Sequence, residues 1–243
     1  RSAGFRGWPM NAPDAIEFEL DGTPVRALPG ESLWQAARRH GVDIPHLCHT
    51  DGLRPDGNCR ACVVEIDGER TLAPSCCRAP APGMRVRAQS PRARAAQRMV
   101  VELLLADMPD AGYQWLDGPG DEHTPEKIAT NIGGISAGGQ KDLKNPAQHG
   151  ELSRWAERLG VQVRPALAAL RRAPLAPDLS HPAMAVQLDA CIQCGRCVRA
   201  CREEQANGVI GMALRGAGTR PVFDLDDPMG ASSCVGCGEC VQA

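Results

Sequence analysis

The sequence predicts an α+β protein in which two small cysteine-bearing modules flank a helical and irregular spacer. Three observations lead there. Of the twelve cysteines in 243 residues, five fall between Cys48 and Cys77, seven between Cys191 and Cys240, and none between the two groups. Apolar and polar residues alternate at period two around the first group, as half-buried strands require. The stretch from Arg92 to Ala106 contains no helix breaker. On this basis the modules are set at residues 14–90 and 180–243, with the spacer at 91–179.

Composition narrows the classes. The formal net charge is −2, so no basic excess argues for nucleic acid. No apolar run approaches the roughly 20 residues needed to span a bilayer. Aromatic residues make up 3% of the chain against 26 Gly and 20 Pro. That balance implies many turns and cores organised partly by bound inorganic groups. The chain opens at Arg1, and the stretch before Met10 reads as an extension.

The first module begins with Ile16-Glu-Phe-Glu-Leu20, a turn at Asp21-Gly22, and Pro24 to Leu28, which together predict a β-hairpin. Ser32 is placed to cap a helix bearing Leu33, Ala36 and Ala37 on one face, with Gly41 just past its end. Trp34 reads as a packing residue. Val63–Ile66, Asp67-Gly68 and Glu69–Leu72 predict a second hairpin, and Met84–Val86 a closing strand. Between these elements lies the spacing Cys48-x10-Cys59-x2-Cys62-x13-Cys76, with Gly52, Pro55 and Gly57 allowing a tight loop. This is the plant-type [2Fe-2S] pattern with a longer first loop. His46 and His49 flank Cys48, but four cysteines already complete a ligand set without them.

In the spacer, Pro91 suits a first helical position, and Met99, Leu103 and Ala106, widened by Val100, Leu104 and Leu105, form the expected packing stripe. Gly112 to Asn145 reads as an irregular loop, and its Gly133-Gly134 run matches no nucleotide-binding motif. His123 and His149 have no cysteine near them in sequence, so no cluster is expected there. Glu151 to Leu159 predicts a short helix with Leu152, Trp155, Ala156 and Leu159 on one face, and Pro165 to Arg172 another.

The second module carries Cys191-x2-Cys194-x2-Cys197-x3-Cys201 and, downstream, Cys234-x2-Cys237-x2-Cys240. The first run is the bacterial two-cluster signature, in which the fourth cysteine ligates the other cluster. Cys201, expected to start a helix, then joins Cys234, Cys237 and Cys240 around one [4Fe-4S] cluster. Cys191, Cys194 and Cys197 hold another, and their fourth ligand is expected beyond Ala243, in a longer polypeptide. A short helix, a strand near Val209–Leu214 and a partner strand at Val222-Phe223 link the two runs. Arg196, Arg199 and Arg202 stand beside these ligands, where they read equally as cations that favour the reduced state or as ordinary solvated surface charges. Zinc prefers tetrahedral four-ligand sets, which two cysteine triplets match poorly. Disulfides suit short secreted chains, which this is not.

The Asn58-Cys-Arg-Ala-Cys-Val-Val-Glu-Ile66 segment and Gly83-Met-Arg-Val86 resemble the β-grasp [2Fe-2S] domain that opens the large iron–sulfur subunit of complex I, iron-only hydrogenases and NAD-dependent formate dehydrogenases. That resemblance assigns the fourth ligand to Cys76, eight residues before Met84, and leaves Cys77 as a spare, buried thiol. Ser180-His-Pro-Ala-Met-Ala-Val186, Asp189-Ala-Cys-Ile-Gln-Cys194, Cys201-Arg-Glu-Glu-Gln205 and Phe223 to Cys234 further resemble the N-terminal part of the α subunit of a cytoplasmic, NAD-dependent molybdenum or tungsten formate dehydrogenase. The resemblance implies a following domain with one more [4Fe-4S] cluster and a bis-molybdopterin guanine dinucleotide metal centre. It also implies a β subunit binding FMN and NAD, usually with a small γ subunit; composition has already argued against a membrane or nucleic-acid partner. The present residues then relay electrons, and none acts as a bond-making catalyst. A diaphorase electron-transfer subunit of an NAD-reducing hydrogenase or a complex I-like assembly is the alternative.

Overall fold

The computed structural model describes residues 15–108 and 151–243. Among these, one compact unit takes in residues 15–49 and 54–100, and a second takes in 50–53, 101–108 and 151–243.

In the first unit, β1 (Ile16–Leu20) and β2 (Thr23–Ala27) form the expected antiparallel hairpin. Asp21 (φ 47°) and Gly22 (φ 83°) both adopt positive φ, the two-residue turn whose twist matches that of the strands. Helix α1 (Leu33–Arg39) is closed at its start by a capping box between Ser32 and Gln35. Gly41, at φ 78°, lets the chain turn back so that the Val42 N–H reaches the Ala37 carbonyl at 2.9 Å. Strands β3 (Val63–Ile66), β4 (Ala73–Pro74) and β5 (Arg85–Arg87) complete a sheet of order β2-β1-β5-β3-β4. Strands β1 and β5 run parallel, and the other neighbours antiparallel. Phe18, Leu20, Leu33, Trp34, Ala37, Val64 and Val86 meet in the core.

Two expectations for this part of the chain are corrected. The turn at Asp67-Gly68 forms, with the Glu69 N–H donating to the Ile66 carbonyl at 3.0 Å, but Glu69–Leu72 does not continue it as a strand. A hairpin closed there would set Val63 opposite Leu72, whereas Val63 pairs with Pro74, so two residues are looped out and the return strand begins at Ala73. The face of α2 (Pro91–Asp107) also differs. Met99 and Leu103 are exposed at 43% and 42%, while Ala93, Gln97, Val101 and Ala106 are buried. The Gln97 amide decides this, because it donates to the Val63 carbonyl at 2.9 Å and the Ala88 carbonyl at 3.2 Å and pins that side of the helix inward.

In the second unit, α3 (Glu151–Leu159) buries Leu152, Trp155, Ala156 and Leu159 as its pattern requires, and Gly160 (φ 60°) ends it. The next helical piece is a 3-10 segment, Pro165–Leu170, shorter than expected. A 3-10 turn at Leu188–Ala190 precedes the first cysteine run. Helix α4 (Arg196–Arg199) continues into a π-helical turn, Ala200–Glu204. Strands β6 (Ile210–Ala213) and β7 (Arg220–Phe223) pair antiparallel, and α5 (Glu239–Gln242) follows the second run. Cys201, Val209, Ile210, Phe223 and Met229 form its core. Cys201 lies within the helical stretch rather than at its start, which is set by the left-handed Gly195 (φ 74°) before Arg196. The spacer loop at 112–145, with His123 and Gly133-Gly134, and His149 after it lie outside the described residues. Among those described, no helix is long and apolar enough to cross a membrane.

Candidate metal centres

Four of the first group's cysteines are brought together by the loop that leaves α1 and by the two short strands. Cys48, Cys62 and Cys76 are each at most 1% exposed, and Cys59 is half-buried. Positive φ at Gly57 (63°) and Arg60 (60°) bends the loop so that backbone N–H groups face sulfur. Cys59 N–H donates to Cys48 Sγ at 3.4 Å, and Ala61 N–H to Cys59 Sγ at 3.5 Å. The Sγ atoms of Cys62 and Cys76 are 3.4 Å apart. The Ser75 hydroxyl fixes the adjoining turn by donating to the Cys62 carbonyl at 2.7 Å. Hydrogen bonds led by that from Cys59 hold the Cys48 thiol down at about 2, and Cys76 holds Cys62 at about 7. Their partners move the other way: Cys59 and Cys76 are pushed up, each chiefly by its contact with Cys48. Four thiols this crowded cannot all ionise by themselves, and bound cations are what let such a group become thiolate.

Cys77 corrects an expectation. It is exposed, with its Sγ 3.6 Å from that of Cys76. The chain leaves β4 in a turn at Ser75–Cys77, which places the Cys76 side chain inside and the Cys77 side chain at the surface. His46 and His49 pack edge-on to the Trp34 ring at centroid distances of 4.5 and 4.7 Å. Trp34 is the packing residue its sequence suggests, 2% exposed and donating from Nε1 to the Ile44 carbonyl at 3.2 Å.

The second group is built from one loop used twice. Gln193 N–H donates to Cys191 Sγ at 3.3 Å, and Gly236 N–H donates to Cys234 Sγ at 3.4 Å. Both donors adopt positive φ, 56° and 69°. Gly195 (φ 74°) and Gly238 (φ 80°) then open α4 and α5 as left-handed caps. Cys201, Cys234, Cys237 and Cys240 line a small concavity together with Met184, Val209 and Ile210. Burial raises the Cys191 and Cys240 thiols and pushes Cys197 up to about 12.

Of the three arginines expected beside these cysteines, Arg196 pairs with Glu151 at 2.7 Å, Arg199 is 3% exposed, and Arg202 faces solvent and pairs with Glu203 at 3.5 Å. Sequence reasoning missed three others. Arg172 donates to the Cys191 carbonyl at 2.6 Å, Asp189 is buried and accepts from the Leu175 N–H at 2.7 Å, and Gln193 carries the left-handed turn. Only the last left a signal, since aligning the two cysteine runs sets Gln193 against Gly236.

The donor sets fit iron–sulfur clusters: sulfur-only side chains, grouped in loops whose backbone N–H groups are directed at those sulfurs.

Residues 13–91 match the 2Fe-2S iron-sulfur cluster binding domain, and residues 190–243 match the 4Fe-4S dicluster domain. The chain is therefore an iron–sulfur protein with one domain of each kind, and its similarity is to oxidoreductases. It is 30% identical over 210 residues to the mitochondrial NADH dehydrogenase (ubiquinone) iron-sulfur protein 1 of Solanum tuberosum, covering 86% of this chain and 24% of the relative. It is 30% identical over 239 residues to the NADP-reducing hydrogenase subunit HndD of Solidesulfovibrio fructosivorans, covering 93% and 34%. It is 25% identical over 221 residues to a putative formate dehydrogenase of Staphylococcus haemolyticus, covering 91% and 19%. The chain thus spans between 19% and 34% of the length of these relatives. A crystal structure of an NAD+-reducing [NiFe]-hydrogenase shares the fold, with a TM-score of 0.65 at 23% identity over 90% of this chain and 80% of that one.

Proposed function

We propose that this chain is the electron-relay portion of an NAD-linked formate dehydrogenase, passing single electrons between a formate-oxidising centre elsewhere in the protein and a flavin-binding partner subunit. The observation that carries the relay is the twice-used cysteine loop of the second module, in a chain whose first module has a separate four-cysteine site. In this reading Cys48, Cys59, Cys62 and Cys76 hold a [2Fe-2S] cluster on a β-grasp domain at 14–90. Cys201, Cys234, Cys237 and Cys240 hold a [4Fe-4S] cluster in the module at 180–243. Cys191, Cys194 and Cys197 supply three ligands of a second. The spacer at 91–179 carries no cluster, in keeping with the lack of cysteine between Cys77 and Cys191.

Bound clusters supply one-electron redox chemistry. The chain's own residues do the rest. The thiolates fix each group, and the N–H donors at Cys59, Ala61, Gln193 and Gly236 stabilise negative charge on sulfur, which raises the potential. Buried Cys48, Cys62 and Cys76 keep water from one face of the first site. A molybdenum or tungsten bis-molybdopterin guanine dinucleotide centre, a further [4Fe-4S] cluster, and FMN and NAD on a β subunit with a γ subunit complete the assembly, in the cytoplasm.

A second reading, the relay subunit of an NAD-linked hydrogenase or complex I-like enzyme, draws on the 30% identities to proteins of those names. The test uses the full protein, purified anaerobically with its partner subunits. In the formate reading, formate reduces clusters visible by electron paramagnetic resonance, and inactivating the pterin metal abolishes this. Reduction by hydrogen or NADH but never by formate supports the second reading. Zinc without acid-labile sulfide in the expressed 243-residue chain, in place of about ten iron atoms, ends both.

A further inference from the structure

Arg172 joins three separate pieces of the second unit. Its Nη2 donates to the Cys191 carbonyl at 2.6 Å. Its Nε donates to the Asp107 carbonyl at 3.0 Å and pairs with the Asp107 carboxylate at 2.9 Å. Its backbone N–H also reaches the Asp107 carbonyl, at 3.2 Å. The side chain is 12% exposed, so solvent screens its charge weakly. Only a planar fork can serve the end of α2 and the first cysteine of the run at once, a task a lysine ammonium cannot reproduce. The Arg172 guanidinium, bonded to the Cys191 peptide, and the Asp107 carboxylate paired with it carry opposite charges. The N–H of the first cysteine also has a different partner in each loop: Cys191 N–H donates to the Leu188 carbonyl at 3.0 Å, and Cys234 N–H to the Ser232 hydroxyl at 3.3 Å.

We propose that Arg172 is a positioning residue that raises the reduction potential of the group held by Cys191, Cys194 and Cys197, with the Asp107 carboxylate behind it as the opposing charge. This rests on the ligand assignment proposed above. Adding an electron makes the site more negative, so a buried cation bonded to the Cys191 peptide favours the reduced state and a carboxylate disfavours it. Arg172 also holds the peptide that carries the first ligand, so its geometry and its charge act on the same group.

The experiment is a redox titration, followed by electron paramagnetic resonance, of the full polypeptide and its variants, with the relevant signal identified as the one lost in Cys194→Ser. Arg172→Gln is expected to lower the reduced-to-oxidised ratio of that signal at the wild-type midpoint by about tenfold, a shift of about 59 mV for a one-electron couple. Asp107→Asn shifts it the other way, the double variant returns towards wild type, and Arg172→Lys recovers part of the loss. The other two clusters keep their midpoints. If Arg172→Gln cannot hold the cluster, Asp107→Asn decides the matter by its positive shift. Wild-type protein with both [4Fe-4S] signals and no shift in the variants overturns the inference and leaves the ligand reading standing. Wild-type protein without those signals overturns the ligand reading itself.

Discussion

The sulfur atoms of Cys76 and Cys77 lie 3.6 Å apart, yet Cys76 is 0% exposed and Cys77 faces solvent. Cys76 also lies against Cys62, at 3.4 Å between sulfurs. Adjacent thiols thus have separate surroundings, and only the inner one belongs to the four-sulfur group. Cys77→Ser is expected to keep the visible absorption and resonance signal of the [2Fe-2S] site, while Cys76→Ser loses them. The opposite result reverses the ligand assignment.

Gly230 has no room for a side chain. A Cβ there would stand 2.2 Å from the Ser180 carbonyl oxygen and 2.5 Å from its carbon. The segment is held in this place because Met229 N–H donates to Asp178 at 2.7 Å and Gly230 N–H to the Ser180 hydroxyl at 2.8 Å. Gly230→Ala is therefore expected to cost about 1–3 kcal/mol and to lower the thermal midpoint. Gly211→Ala, where a Cβ meets nothing within 4 Å, is the control and should change little.

The buried Gln97 amide serves two backbone carbonyls that have been taken from water. Gln97→Leu fills similar space but strips both acceptors of this donor. Denaturant melts should show a loss of about 1–3 kcal/mol. A smaller loss than that of Met99→Ala, at an exposed position on the same helix, would contradict this account.

Without metal, the Cys197 thiol is pushed up to about 12 by burial and by the neighbouring Cys194 and Cys191. A raised folded-state value means that the metal-free fold is favoured while the thiol stays protonated. That stability is full below the ordinary cysteine value of 9.0 and is lost as pH climbs from there towards 12. Circular dichroism of metal-free protein should show a steeper loss of stability across this window than the Cys197→Ala variant does. With the cluster bound, the thiolate is already present, and this part of the pH dependence disappears.

Local signals made much of the chain legible. Alternation and Asp21-Gly22 identified the first hairpin, Ser32 the start of α1, and the spacing of Leu152, Trp155, Ala156 and Leu159 the buried face of α3. Such features depend on residues within a turn or two of one another. The same reasoning failed on α2, where apolarity pointed to Met99 and Leu103 but hydrogen bonds from Gln97 to a strand 34 residues away turned the helix. It failed again at Glu69–Leu72, because the register of β3 is fixed by Pro74 and by β5 rather than by the turn beside it.

Read by itself, the order of amino acids determined the cysteine groups, their kinds of domain and the run of most helices and strands, since spacing along the chain limits which thiols can reach one cluster. Tertiary structure alone decided that Cys77 faces solvent, and it alone brought Arg172 and Asp107 to the first cysteine of the second module. Those outcomes depend on groups distant in sequence meeting at hydrogen-bond distance, and no local pattern encodes that meeting.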